Sequence, residues 1–75
     1  MTKLPTLSGH ELARALRRLG YKEDHRTGNH IILRQAASPH RRLTVPDHKE
    51  IAKGTLRAVI RQAGLTVEEL LGLLE

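Results

Sequence analysis

The chain has 75 residues, carries 13 Lys+Arg against 8 Asp+Glu for a formal charge of +5, and contains no cysteine. That length suits one domain with one modest core, in which only about 60% of the unfolded surface is buried and stability is marginal. Without cysteine, disulfides, thiolate catalysis and cysteine-based zinc sites are excluded. Hydrophobic residues at 39% and charged residues at 28% read as a soluble globular protein. No apolar run approaches the ~18 residues of a membrane span. MTKLPTLSGH lacks the apolar core of a signal peptide, so a cytoplasmic protein without membrane contact is expected. A basic surface attracts polyanions, nucleic acid first among them; the alternative is a charged surface that only aids solubility. Tyr21 is the one aromatic residue, which argues against a platform that stacks several bases. Contact should run mainly through arginine and lysine to phosphate.

Residues 1–7 are a short lead-in. Ser8 followed three residues later by Glu11 forms a capping box. Leu12, Ala15, Leu16 and Leu19 then recur at helical spacing on one stripe, and Gly20 supplies a left-handed C-cap. The first helix is expected over 9–19. Residues 21–25 are the weakest of three candidate strands, and Arg26-Thr27-Gly28 is expected as a turn. Residues 29–34 alternate at strand period, with Ile31 and Leu33 on one side and His30, Ile32 and Arg34 on the other. A polar loop, QAASPH, precedes a third strand over 41–45, which Pro46 stops. DHKEIAK is a connection of mixed charge. Gly54-Thr55 opens a second helix whose apolar face is Leu56, Val59, Ile60 and Ala63, and Gly64 ends it. Thr66 with Glu69 is a second capping box, starting a short helix that runs to Glu75.

The order is α-β-β-β-α plus a short C-terminal helix, an α+β fold in a single domain spanning 1–75. Short connections favour an antiparallel three-stranded sheet covered on one face by the helices. Ile31, Leu33, Leu43 and Val45 point into that layer. His30, Arg34 and Arg42 lie on the opposite face, a basic surface suited to RNA. Ile32 on that side is unusual for solvent and fits a partner interface.

Of the five histidines, His10 reads as a surface residue beside the helix cap, and His25 and His40 as exposed residues near turns. His48, just beyond the third strand, reads as structural or supporting. Asp47-His48 with Glu50 lacks strong ligand spacing, so no metal site and no cofactor are expected. His30 stands where turn becomes strand. A lone strand histidine is more often structural than catalytic, and the residues alone leave both open. The catalytic option has a definite chemistry. RNA carries its own nucleophile, the 2′-hydroxyl, and an imidazole titrates near neutral pH, where it can take or give the proton. Positioned proton transfer supplies about 10² to 10⁴ in rate, and a nearby cation offsets phosphate charge.

Gly20-Tyr21, Gly28-Asn29-His30, Val45-Pro46-Asp47-His48 and the run from Gly54 to Leu65 (GTLRAVIRQAGL) together resemble the HicA (YcfA-like) toxin family over roughly residues 8–71. The resemblance implies a fold like the double-stranded RNA-binding domain and the activity of an mRNA interferase, a metal-independent endoribonuclease toxin. It assigns the active-site role to His30, in the position of the family's G-[SG]-H element, with Asn29 replacing the usual small residue. It gives Gly28 a tight approach to RNA and places His48 at the family's second histidine position. It also implies a HicB-like antitoxin that covers the active face. Arg26, Arg34, Arg41 and Arg42 are the cations expected to touch RNA phosphates, from their places in strands and turns. The competing account is a non-catalytic RNA-binding module of the same fold.

Overall fold

The computed structural model describes residues 3–74. Its elements are α1 (Gly9–Arg17), β1 (Tyr21–Thr27), β2 (His30–Gln35), β3 (Arg42–Pro46), α2 (Lys53–Gln62) and α3 (Val67–Leu73). The three strands form one antiparallel sheet in the order β1-β2-β3. The order of elements is the one expected, and the expected ends of the chain at Met1, Thr2 and Glu75 lie outside the described residues.

Helix α1 begins where its sequence requires. The Ser8 hydroxyl accepts from the Glu11 N–H at 3.1 Å, and the Glu11 carboxylate accepts from the Ser8 N–H at 2.9 Å. The backbone N–H and then the side chain of Ser8, opposed by slight desolvation and helped by Arg14, hold the Glu11 carboxyl below its usual range. Leu12, Ala13, Ala15 and Leu16 are buried. The helix closes two residues earlier than expected. Beyond Arg17 the N–H groups of Arg18, Leu19 and Gly20 bond three residues back, a tighter winding that breaks the helical period. Leu19 therefore leaves the apolar stripe and is exposed, and Gly20 turns the chain at φ +98°.

The hairpin corrects a second expectation. β1 continues through Arg26 and Thr27, so these are strand residues and the turn is Gly28-Asn29 alone. Two-residue hairpin loops match the strand twist when glycine supplies a positive φ, and Gly28 has φ +53°. β1 pairs with β2 as far as Thr27, opposite His30, and a bulge between Glu23 and His25 absorbs one extra residue on the way. β2 and β3 each sit one residue later than expected. Ile31, Leu33, Leu43 and Val45 are nonetheless all buried under the helices, so the two-residue alternation put the right face inward.

The connection 47–52 is less open than its charge implied. Ile51 is buried in the core, and its N–H donates to the Leu7 carbonyl at 2.8 Å. Helix α2 begins at Lys53, one residue before the expected Gly54-Thr55 opening. Ala52 occupies the N-cap position with no side-chain hydrogen bond, so Thr55 is a first-turn residue and not the cap. The Lys53 ammonium instead bonds the carbonyls of Leu4 and Pro5, each at 3.1 Å. Leu56, Val59 and Ile60 are buried. α2 ends in a Schellman motif: Leu65 N–H donates to Ile60 O, Gly64 N–H donates to Arg61 O, and Gly64 has φ +74°. The Thr66–Glu69 capping box starts α3, which buries Leu70.

Candidate functional site

His30 is the first residue of β2, directly after the hairpin turn, and its side chain is exposed. In the sheet it lies opposite Thr27 of β1 and Pro46 of β3. β3 ends at Pro46, and two residues later the chain carries His48. His30, Thr44, Pro46, His48, Ala52 and Thr55 line one cleft of about 320 Å³. Two imidazoles and two hydroxyl side chains, from β2, β3, the 47–52 connection and the first turn of α2, thus converge on one space.

Backbone contacts fix this arrangement. The Asp47 N–H donates to the Asn29 carbonyl at 2.6 Å, and the Gly9 N–H donates to the His48 carbonyl at 2.9 Å. Gly9 packs directly on the β3 exit: a Cβ built there would overlap the Pro46 carbonyl oxygen and lie 2.9 Å from Asp47 Cα. The Asp47 carboxylate divides its oxygens between two neighbours. Oδ1 is 3.2 Å from His10 Nε2, and Oδ2 accepts from Arg26 Nη1 at 3.2 Å. Arg26 also pairs with Glu23 at 3.2 Å.

The open face of the sheet runs from this cleft toward the far end of the strands. Ile32 pairs with Thr44 and His25, and Ile32 is half-buried there. Beyond them Lys22, Arg34 and Arg42 stand opposite one another in one row across all three strands. Among the described residues none of the three forms an ion pair, and the Arg34 Nε is buried without a hydrogen-bond partner.

Of the residues expected in the site, His30 and His48 meet in the cleft, with Gly28 and Asn29 forming the turn beside it. Arg34 and Arg42 share the open face at its other end. Arg41 lies in the loop before β3, where its N–H is held by the Gln35 side chain at 2.9 Å. Arg26 is committed to Asp47 and Glu23. His10, His25 and His40 are exposed, each beside a polar neighbour: Asp47, Asp24 at 2.8 Å and the Gln35 carbonyl at 3.2 Å respectively. No group of three or more histidine, aspartate or glutamate side chains among the described residues is placed to hold a metal. No described helix is long and apolar enough to cross a membrane.

The cleft contains residues that the sequence did not single out. Strand alternation puts Thr44 on the open side and Thr55 reads as part of the opening of the second helix, but neither reading ties them to the site, and nothing marks Ala52. Gly9 had one signal: a glycine inside a helix costs stability, which hints at a close approach.

The family model for the HicA toxin of bacterial toxin–antitoxin systems matches residues 9–65, most of the chain and every element from α1 through α2. The chain belongs to the HicA toxin family. The match takes in the hairpin, the β3 exit and the first turn of α2, which build the cleft. Membership places this HicA-family chain in a toxin–antitoxin pair and so implies an antitoxin partner. A comparison with curated proteins gave no match.

Proposed function

We propose that this chain is the toxin of a type II toxin–antitoxin pair and an endoribonuclease that cuts mRNA by histidine acid–base catalysis without a metal. The observation that carries this reading is the position of His30: exposed, at the rim of a cleft, on the same sheet face as Arg34 and Arg42. RNA laid on that face meets cations along the strands and an imidazole at their end. His30 exchanges a proton at the scissile linkage while the 2′-hydroxyl attacks phosphorus. The products are a 2′,3′-cyclic phosphate and a 5′-hydroxyl end. The cytoplasm, where mRNA is available, is the proposed site of action.

A HicB-like antitoxin neutralises the toxin by covering this face. Half-buried Ile32, flanked by His30 and Arg34 on the same face, offers it an apolar contact.

The test is RNA cleavage by the purified chain and by His30→Ala, in EDTA, with the product ends analysed. Cleavage that survives EDTA, leaves 5′-hydroxyl ends and falls by about 10² or more in the variant is the expected result. If both proteins bind RNA equally and neither cuts it, the chain is a non-catalytic RNA-binding module.

A further inference from the structure

Cleavage at a 2′-hydroxyl moves two protons, and one imidazole in one protonation state cannot serve both transfers at once. The 2′-oxygen must lose a proton as it attacks phosphorus. The 5′-oxygen must gain one as its bond to phosphorus breaks. His30 and His48 line the same cleft, and the backbone fixes them relative to one another: each follows directly on one partner of the Asn29–Asp47 hydrogen bond. His48 is exposed, which leaves its ring open to solvent and substrate.

We infer that His48 is the second proton-transfer group of this cleft, acting opposite His30 across the scissile phosphate. The assignment rests on the ribonuclease reading above and extends it. One imidazole, neutral at the start, takes the 2′ proton as the O2′–P bond forms. The other, protonated at the start, gives its proton to the 5′-oxygen as the P–O5′ bond breaks and its electron pair moves to oxygen. The RNA leaves as a cyclic phosphate and a free hydroxyl, and the two imidazoles have exchanged protonation states, which water restores. No metal, oxidant or further reactant enters the balance.

The charged neighbours of this pair are engaged elsewhere or lie outside the cleft. Asp47 holds His10 and Arg26, and Lys53 bonds the lead-in carbonyls. Lys49 and Glu50 follow His48 in the exposed connection and do not line the cleft. Thr44 and Thr55 are the polar lining residues besides the two histidines, and neither titrates near neutral pH.

The experiment is the pH dependence of RNA cleavage for the wild type, His48→Ala and His48→Gln, with thermal melts to verify folding. An acid and a base acting together give a bell-shaped profile. The expected result is a bell for the wild type, with both variants folded, slower by about 10² to 10⁴ and missing one limb. A folded His48 variant that keeps full activity, or one uniformly slower with both limbs intact, overturns the assignment and leaves His48 a structural residue. In those two cases the active wild type keeps the ribonuclease reading intact. A wild type that does not cut RNA under any condition sinks that reading and this assignment with it. Should both variants fail to fold, His48→Asn with a 5′-bridging phosphorothiolate RNA decides. Its leaving group needs no acid, so activity near the wild-type level on that substrate supports His48 as the acid. Continued loss on it, with both limbs of the profile present, overturns the assignment.

Discussion

The N–H of Asp47 donates to the carbonyl of Asn29 at 2.6 Å, and this bond ties the hairpin tip to the exit of β3. Asn29 precedes His30, and Asp47 precedes His48. A backbone hydrogen bond between their preceding residues therefore ties the two histidine-bearing segments together. On the other side of the exit, the Gly9 N–H holds the His48 carbonyl at 2.9 Å. The segment carrying His48 is clamped between the hairpin and the start of α1.

Gly9→Ala tests that clamp. In a helix interior glycine to alanine gains about 0.5–1 kcal/mol, an upper bound for Gly9, the first residue of α1 after the Ser8 cap. Here the added methyl meets the Pro46 carbonyl oxygen and Asp47 Cα, both backbone atoms, so no side chain can swing aside. Overpacking of this kind costs about 1–3 kcal/mol and outweighs the propensity gain. Urea denaturation should show a net loss of stability, with reduced cleavage because the His48 segment is displaced. A variant as stable as the wild type would mean that the clamp yields freely.

Asp47→Asn tests the side-chain contacts of the same residue, and the expected loss is much smaller. Its partners His10 and Arg26 are well exposed, with side chains 66% and 42% accessible. Pairs at such sites contribute about 0–1 kcal/mol. The variant should lose less than about 1 kcal/mol in urea denaturation. A loss of several kcal/mol would show the carboxylate to be a structural centre in its own right.

The two capping boxes, the helix faces and the inward strand residues were legible in the sequence because each rests on a local period or a three-residue spacing. Ile31 and Leu33 stand on the face that alternation assigned them. Failures came where the period changes or where no period exists. Leu19 lay on the helical stripe, but the winding tightens after Arg17. Ile51 sits in a short connection of mixed charge with no period to mark it, and tertiary packing in the core buries it, with its N–H on the Leu7 carbonyl. The sequence reads Arg26 and Thr27 as turn because they carry no strong strand pattern, while the bulge beside Asp24 shifts the alternation of β1. In the site, His30 was visible by its position at a turn. Its proximity to His48, 18 positions later, depends on the register of β2 with β3 and the bend after Pro46. Thr55 lines the cleft from the first turn of α2, which starts at Lys53 with no cap side chain to announce it.

Acid titration should expose the contribution of the first capping box. The Glu11 carboxyl is held below its usual range chiefly by the Ser8 N–H. A lowered folded-state value means that the ionised form stabilises the fold. That stabilisation is fully present above the unfolded glutamate value of about 4.3 and is lost as pH falls through the lowered folded value. Tm followed from neutral pH down into the acid range should decline more for the wild type than for Glu11→Gln, whose amide carries no charge to lose. The wild type should be the more stable protein at neutral pH, and the two curves should converge in acid. Parallel curves would show that the charge contributes nothing to the cap.

The row Lys22–Arg34–Arg42 separates stability from binding. Like charges directly opposite in a sheet are destabilising, by an amount within the ~0.2–1 kcal/mol range of cross-strand pair effects. These three have no anionic partner among the described residues, and the Arg34 Nε is buried without a hydrogen bond. A folded protein gains nothing from such a row, whereas a polyanion laid across it neutralises all three charges. Replacing Arg42 by threonine relieves one repulsion and adds a strand-favouring residue. Arg42→Thr should therefore be as stable as the wild type or more so, by up to about 1 kcal/mol, while binding RNA more weakly. If Arg42 meets a phosphate, the slope of log K against log salt concentration should become shallower by about one. Unchanged affinity and slope, with higher stability, would remove this row from the RNA surface and leave it to the antitoxin.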